Sequence, residues 1–127
     1  MCVRVFLADD TEVMRKAIRR LLSGREDIAV VGEAANIRET IQKTAELHPD
    51  LIILDVTMPE KDCIAPTKVK GLLNGAKILA ITLGADDISE ELSHGVGAAK
   101  LLDKMDLYDQ LIPAILEFAP AKTMQPG

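Results

Sequence analysis

Five short apolar runs alternate with amphipathic segments along the 127 residues of the chain. Runs such as LIIL (51–54) and ILAI (78–81) are almost wholly apolar, which is typical of parallel strands covered on both faces. The segments between the runs have about the length of the helix in a βαβ crossover. The pattern predicts an α/β fold, a (βα)5 doubly wound parallel five-stranded sheet in the flavodoxin-like order 2-1-3-4-5. The predicted strands are Val3–Ala8, Ile28–Ala34, Leu51–Leu54, Lys77–Ile81 and Ala99–Leu102.

Local signals indicate where the predicted helices begin and end. Either Asp10 or Thr11 can cap the first helix. The second helix opens with Asn36 and Glu39, which have the spacing of a capping box. Pro49 ends this helix, because proline disfavours helical geometry in the residue before it.

The remaining helices differ in the strength of their apolar stripes. The third helix is predicted between Pro66 and Asn74–Gly75. The fourth, over 86–94, offers only Ile88 and Leu92 as apolar positions, so we expect it to pack weakly. The predicted stripes of the first and fifth helices are Val13, Ala17, Ile18, Leu21 and Leu22, and Leu107, Leu111, Ile115 and Phe118.

The composition is that of one globular domain. Hydrophobic residues make up 48% of the chain, yet no apolar run approaches the length of a membrane span. We expect a domain over 1–119 and a linker-like tail over 120–127, since the tail contains two prolines. The two cysteines, Cys2 and Cys63, belong to no metal-binding or redox motif, and the first residues do not resemble a secretory signal. These features favour the reducing cytoplasm and no association with a membrane.

The charge distribution argues against direct binding to nucleic acid. The net charge is −5, and the chain has only two Phe and one Tyr for base stacking. Its one basic cluster, formed by Arg15, Lys16, Arg19 and Arg20, has helical spacing and is interpreted as the solvated face of the first helix.

Polar residues stand at the carboxyl ends of four predicted strands. Asp9 and Asp10 follow the first strand, Asp55 the third, Thr82 the fourth and Lys104 the fifth. In an open α/β sheet these ends line one crevice, so we expect the five side chains to converge. Carboxylates crowded in this way either raise one another's pKa or recruit a compensating cation.

The residue types at this convergence suit phosphoryl transfer. An acidic pair beside a strand end offers the hard oxygen ligands that Mg²⁺ prefers, and Asp55 can add a ligand or act as a nucleophile. Lys104 can neutralise a phosphoryl group and Thr82 can donate a hydrogen bond to it.

Four segments, FLADD, LIILDVTMP, ILAIT and GAAKLLDK, resemble the receiver domain of bacterial two-component response regulators over residues 3–118. The resemblance implies that a sensor histidine kinase or phosphotransfer protein donates a phosphoryl group to Asp55. It implies that Asp9, Asp10, Asp55 and the backbone carbonyl of Thr57 bind Mg²⁺. Thr82 is similar to the switch hydroxyl of the family, and Lys104 to its phosphoryl-binding lysine.

Four positions depart from the usual pattern of that family. Leu101 replaces the aromatic residue whose rotamer reports phosphorylation, Cys63 replaces a glycine, and Met105 replaces the proline after the lysine. Leu83 is larger than the residue that commonly follows the switch hydroxyl. The LLDKMD segment is closer to the NarL/LuxR-type subfamily, in which this proline is often missing and a DNA-binding domain follows.

Three functions are compatible with these residues. The first is a phosphorylation-dependent switch that reshapes the surface of helix four, strand five and helix five. This surface then dimerises or binds an output domain outside this chain, which we expect to be transcriptional. The second is a degenerate receiver that acts only as a binding module, an alternative that Leu101 and Cys63 leave open. The third is an aspartyl-phosphate hydrolase, which requires a second Asp two residues after Asp55, where this chain has Thr57. The first function involves no turnover of a separate substrate.

Overall fold

The computed structural model describes residues 2–58, 71, 73 and 75–119. In this part of the chain, five parallel strands form one sheet in the order β2-β1-β3-β4-β5, which confirms the predicted fold class and topology. The strands are β1 (Val3–Ala8), β2 (Ile28–Ala34), β3 (Leu51–Asp55), β4 (Lys77–Thr82) and β5 (Lys100–Asp103). The helices are α1 (Glu12–Leu22), α2 (Ile37–Leu47), α3 (Asp87–Gly95) and α4 (Leu107–Phe118), and a 3-10 turn, Lys104–Asp106, precedes α4.

The helices α3 and α4 correspond to the fourth and fifth helices predicted from the sequence. The predictions that concern Pro66, Asn74 and Cys63 lie outside the described residues, as does the tail over 120–127. Within the described ranges, no helix combines the length and the apolar character that crossing a lipid bilayer would require.

The strand ends differ slightly from the sequence prediction. β1 and β2 have the predicted bounds, whereas β3 and β4 each extend one residue further, and β5 begins and ends one residue later. Asp55 and Thr82 are therefore the last residues of β3 and β4, where they pair with Ile81 and Asp103 of the neighbouring strands. Because these backbones belong to the sheet, the two side chains project from a rigid edge.

The sheet is buried on both faces, which explains the nearly continuous apolar runs. Val5 and Leu7 face the layer that contains α1 and α4, whereas Phe6 and Ala8 face the layer that contains α2. The four side chains are at most 1% exposed. The two layers cover the central strands β1, β3 and β4, and the functional residues predicted from the sequence lie at the carboxyl ends of the strands.

The predicted limits of α2 are confirmed by its hydrogen bonds. Asn36 Oδ1 accepts from the backbone N–H of Glu39 at 2.8 Å, and Asn36 Nδ2 donates to Glu39 Oε2 at 3.1 Å. His48 ends the helix in the left-handed region, with φ of 48°, directly before Pro49.

The predicted apolar stripe of α1 is only partly correct. Ile18 and Leu22 are buried and Met14 packs against the same cluster, but Val13 is 81% exposed and Ala17 is exposed. At 3.6 residues per turn, Val13 lies about 140° around the helix from Ile18, so both cannot face the sheet.

The predicted apolar stripe of α3 is wrong in the same way, because the observed buried face lies elsewhere around the helix. Ser89 and Ser93 form its buried face, whereas Ile88 is 68% exposed and Leu92 is only half-buried. The cap explains this orientation, because Asp86 Oδ1 accepts hydrogen bonds from both the backbone N–H and the hydroxyl of Ser89, each at 2.8 Å. The result is a helix held to the sheet by a partly polar face.

Candidate functional site

Three carboxylates meet at the carboxyl ends of β1 and β3. Asp9 and Asp55 are 1% and 2% exposed, whereas Asp10 is exposed. One oxygen from each of the three side chains lies within 4.8 Å of the others. The expected convergence of these residues is therefore present in the structure.

Lys104 bridges the two buried carboxylates. Its Nζ lies 2.8 Å from Asp9 Oδ2 and 3.0 Å from Asp55 Oδ2, and its side chain is 10% exposed. Burial lowers the pKa of the ammonium, but its short contact with Asp9, its hydrogen bond to Asp55 and the charges of both carboxylates outweigh that effect and raise the pKa above its ordinary value of 10.5. Lys104 is thus a cation that compensates the buried negative charge.

Two identical turns hold the buried carboxylates from the other side. Thr11 donates its backbone N–H and its hydroxyl to Asp9 Oδ1, at 2.8 and 2.9 Å. Thr57 does the same to Asp55 Oδ1, at 2.8 and 2.6 Å. In each case Oδ1 is held by the turn and Oδ2 faces Lys104. These hydroxyl roles were not predicted, although the D-x-T spacing occurs at both sites in the sequence.

Arg15 is a second residue whose role the sequence analysis missed. It was interpreted as part of a solvated face, yet its side chain is only 16% exposed. Its guanidinium donates to the backbone carbonyl of Asp9 at 2.6 Å and to Glu33 Oε1 at 3.1 Å. Arg19 also pairs with Glu33, so the arginines tie α1 to the end of β2 and fix the backbone of Asp9. The interpretation as a solvated face is therefore wrong for Arg15.

Thr82 is the last residue of β4, the strand next to β3, and is fully buried. Its hydroxyl is 3.1 Å from the hydroxyl of Ser89 in α3. The structure thus brings Asp9 and Asp55 into direct contact with Lys104, whereas the Thr82 hydroxyl is engaged by the neighbouring helix. Leu83, the next residue, is 67% exposed at the surface.

The donor set fits Mg²⁺. Asp9 Oδ2 is a buried oxygen that has the Lys104 ammonium beside it but no hydrogen-bond partner of good geometry among the described residues. Three carboxylate oxygens within 4.8 Å of one another supply the hard oxygen ligands that Mg²⁺ prefers, and the exposed side chain of Asp10 is free to adjust its position. The backbone carbonyl of Thr57 as a further ligand stays a prediction.

The fold and this site together define a receiver-type α/β domain, with an acidic pair after β1, an aspartate ending β3 and a lysine after β5. Residues 5–115 match the response regulator receiver domain family, and the chain belongs to that family. It is therefore a signalling domain of the response regulator type.

Particular relatives support this assignment. The chain is 41% identical over 88 residues to the response regulator protein VraR of Staphylococcus aureus, over 68% of this chain and 42% of that protein. It is 36% identical over 124 residues to a protein-glutamate methylesterase/protein-glutamine glutaminase of Methanosarcina acetivorans, over 81% of this chain and 35% of that protein. A solved LuxR-family response regulator from Aurantimonas sp. SI85-9A1 has 27% identity and a TM-score of 0.79, with 92% of this chain and 84% of that chain covered. The chain spans less than half the length of both curated relatives.

Proposed function

We propose that this chain is a phosphorylation-dependent switch in which the carboxylate of Asp55 accepts a phosphoryl group. The observation that carries the proposal is the double anchorage of Asp55, whose Oδ1 accepts two hydrogen bonds from Thr57 and whose Oδ2 faces Lys104. A carboxylate fixed in this way presents its oxygens without further ordering, which is how positioning lowers the barrier to phosphoryl transfer.

In the proposed reaction a carboxylate oxygen of Asp55 attacks phosphorus while the bond from phosphorus to the donor's leaving atom breaks. The leaving group takes up a proton, and an acyl phosphate remains on Asp55. Lys104, now 3.0 Å from Asp55 Oδ2, is placed to form an ion pair with the phosphoryl oxygens. The hydroxyl of Thr82 would break its hydrogen bond with Ser89 and donate a hydrogen bond to another of these phosphoryl oxygens.

The proposed cofactor is Mg²⁺, held by Asp9, Asp10, Asp55 and the backbone carbonyl of Thr57. When bound, the ion neutralises negative charge on the transferring phosphoryl group. The role of the chain is to keep the ligands close: Thr11 holds Asp9 Oδ1, and Arg15 holds the backbone of Asp9.

The phosphoryl donor and the output lie outside the chain. We propose a sensor histidine kinase or a phosphotransfer protein as the donor. The surface formed by α3, β5 and α4 would then dimerise or bind an output domain. Transcriptional output is the leading candidate because the LLDKMD segment resembles the NarL/LuxR-type subfamily and the Aurantimonas relative is a LuxR-family response regulator. Light scattering with and without beryllofluoride would test phosphorylation-linked dimerisation.

Acetyl phosphate with Mg²⁺, followed by intact-mass measurement, tests the proposed reaction. We expect one phosphoryl adduct on the wild-type chain, none on Asp55→Asn, and one on the control variant Asp109→Asn, which changes an exposed carboxylate of α4. An adduct that persists in Asp55→Asn would exclude this residue as the acceptor.

The alternative functions give different results. A degenerate receiver would show neither an adduct nor a Mg²⁺-dependent response to beryllofluoride. A hydrolase would turn over a phosphoester substrate, yet the position two residues after Asp55 is Thr57, whose hydroxyl donates to Asp55 instead of serving as a carboxylic acid.

A further inference from the structure

The hydroxyl of Thr82 belongs to a chain of hydrogen bonds that leads from the site into α3. Thr82 Oγ1 lies 3.1 Å from Ser89 Oγ, and Ser89 Oγ lies 2.8 Å from Asp86 Oδ1. Asp86 is the N-cap of α3 and also accepts the backbone N–H of Ser89. Three side chains therefore connect the end of β4 to the first turn of the helix.

The direction of each hydrogen bond follows from the number of protons available. The two hydrogen bonds from Ser89 lower the pKa of Asp86 below its ordinary value, the backbone N–H having the larger effect, so near neutral pH this carboxylate accepts only. The single hydroxyl proton of Ser89 is thus donated to Asp86. Thr82 must then be the donor to Ser89, and its own single proton is committed to that bond.

We propose that Ser89 is the positioning residue that couples the phosphoryl site to α3 in this chain. The proposal rests on the proposed function, because Thr82 acts as its switch hydroxyl. Thr82 cannot donate to a phosphoryl oxygen and to Ser89 at once. Phosphorylation therefore breaks the Thr82–Ser89 bond and releases the first turn of α3 from the end of β4.

The surroundings of Ser89 suit such a release. Ser89 and Ser93 are the residues by which α3 is buried, and Ile88 points to solvent, so little apolar area holds this helix to the sheet. Leu101, where the family usually has an aromatic residue, is half-buried and has no polar atom that could follow Thr82. Ser89 supplies a polar partner for Thr82 from the helix itself.

The first test compares the beryllofluoride affinity of the full chain with that of Ser89→Ala, in the presence of Mg²⁺. The variant leaves the buried Thr82 hydroxyl without its resting acceptor but does not affect the phosphoryl-bound state. We expect Ser89→Ala to bind beryllofluoride about 2- to 12-fold more tightly, the ratio that corresponds to the net free energy of one hydrogen bond.

A matched control is available one turn further along the helix. Ser93→Ala removes the same group from the same buried face, and no hydrogen bond between Ser93 and Thr82 occurs in the described structure. We expect the affinity of Ser93→Ala to equal that of the wild type. Ser89→Thr, which retains the hydroxyl, should restore the wild-type affinity.

Two further readouts separate coupling from a general loss of stability. In a double-mutant cycle, Ser89→Ala should have no effect on affinity when Thr82→Ala is already present. In amide NMR spectra, beryllofluoride should shift the resonances of Ser89 and Glu90 in the wild type, and the shift should be much smaller in Ser89→Ala.

The outcomes distinguish the coupling from the proposed function. If the wild type binds no beryllofluoride, the proposed function fails and the coupling fails with it. If the wild type binds but Ser89→Ala matches Ser93→Ala in affinity and in the response of α3, the coupling alone is overturned. If Ser89→Ala is unfolded, Ser89→Thr and Thr82→Ala provide the test instead. The coupling then requires Ser89→Thr to keep the wild-type affinity and the α3 response, and Thr82→Ala to weaken that response. If Thr82→Ala leaves the α3 response unchanged, the coupling is overturned.

Discussion

Replacing Lys104 with methionine would test the electrostatic account of the site most directly. The substitution keeps an unbranched side chain of similar length but removes the only cation that contacts both Asp9 and Asp55 in the described structure. Two buried carboxylates would then face each other without compensation. We expect the variant to be less stable than the wild type without Mg²⁺, and to gain more stability from the ion.

The magnitude follows from the distances. At 2.8 and 3.0 Å, and with an effective dielectric constant of about 20, each ion pair of Lys104 has a gross attraction of roughly 5 to 6 kcal/mol. Desolvation of the ammonium offsets most of this, and removing one partner of a buried ion pair costs about 3 to 5 kcal/mol net. Because Lys104 is 10% exposed, we take the lower end. A loss of about 3 kcal/mol lowers the Tm of a domain of this size by roughly 9 to 15 °C.

Thermal unfolding with and without about 10 mM Mg²⁺ would measure both effects, because stabilisation by a ligand grows with the ratio of its concentration to its Kd. A tenfold tighter Mg²⁺ affinity in Lys104→Met would add about 1.4 kcal/mol, or roughly 4 to 7 °C, to the stabilisation by the ion. The control is Lys100→Met, which removes an exposed lysine from the start of β5. The reasoning is refuted if Lys104→Met unfolds at the same temperature as Lys100→Met, or if Mg²⁺ stabilises both variants equally.

Three other predictions concern packing, capping and pH. A Cβ at Gly32 would lie 2.7 Å from Leu47 Cδ1 and 2.9 Å from the ring of Phe6, so Gly32→Ala should lose about 1 to 3 kcal/mol in urea unfolding; unchanged stability would show that both side chains can yield. Asn36→Ala removes the cap of α2 and should cost about 1 kcal/mol in the same assay, with no change in beryllofluoride affinity. The folded-state pKa of Asp86 lies below its ordinary value of 3.8, first because of the hydrogen bond from the backbone N–H of Ser89 and then because of that from its hydroxyl. The ionised carboxylate therefore stabilises the fold above pH 3.8, and this contribution is lost as the pH falls through the lowered pKa. Carbon-detected NMR titration should show that Ser89→Ala raises the pKa of Asp86 part of the way back; an unmoved pKa would contradict the hydrogen-bond assignment.

The strands could be predicted because parallel strands covered on both faces leave a pattern of short apolar runs, and right-handed crossovers leave few possible strand orders. The same reasoning brought Asp9, Asp55 and Lys104 together, since residues that follow parallel strands share one edge of the sheet. Their contacts in the structure agree with that expectation. Their roles in phosphoryl transfer stay proposals.

The helix orientations were harder to predict because side-chain hydrogen bonds shift the phase of a weak apolar stripe. In α3 the cap at Asp86 turns Ser89 inward and leaves Ile88 exposed, although hydrophobicity alone predicts the opposite. In α1 the partly buried side chain of Arg15 belongs to the face that was interpreted as solvated. Polar contacts of this kind involve residues distant in sequence, such as Glu33, so a local sequence pattern cannot predict them.

If the proposed coupling through Ser89 is correct, the replacement of an aromatic residue by Leu101 does not leave the site without a route to the surface. An aromatic readout requires a ring to change its rotamer, and Leu101 has neither a ring nor a polar atom. The chain from Thr82 through Ser89 to Asp86 needs no such movement, because the hydroxyl of Thr82 has one proton and therefore one acceptor at a time. A group with a single proton and two competing acceptors has two alternative states, which is what a switch requires. The helix that senses the choice is the one whose buried face consists of serines, so the loss of one hydrogen bond is a large fraction of what holds its first turn.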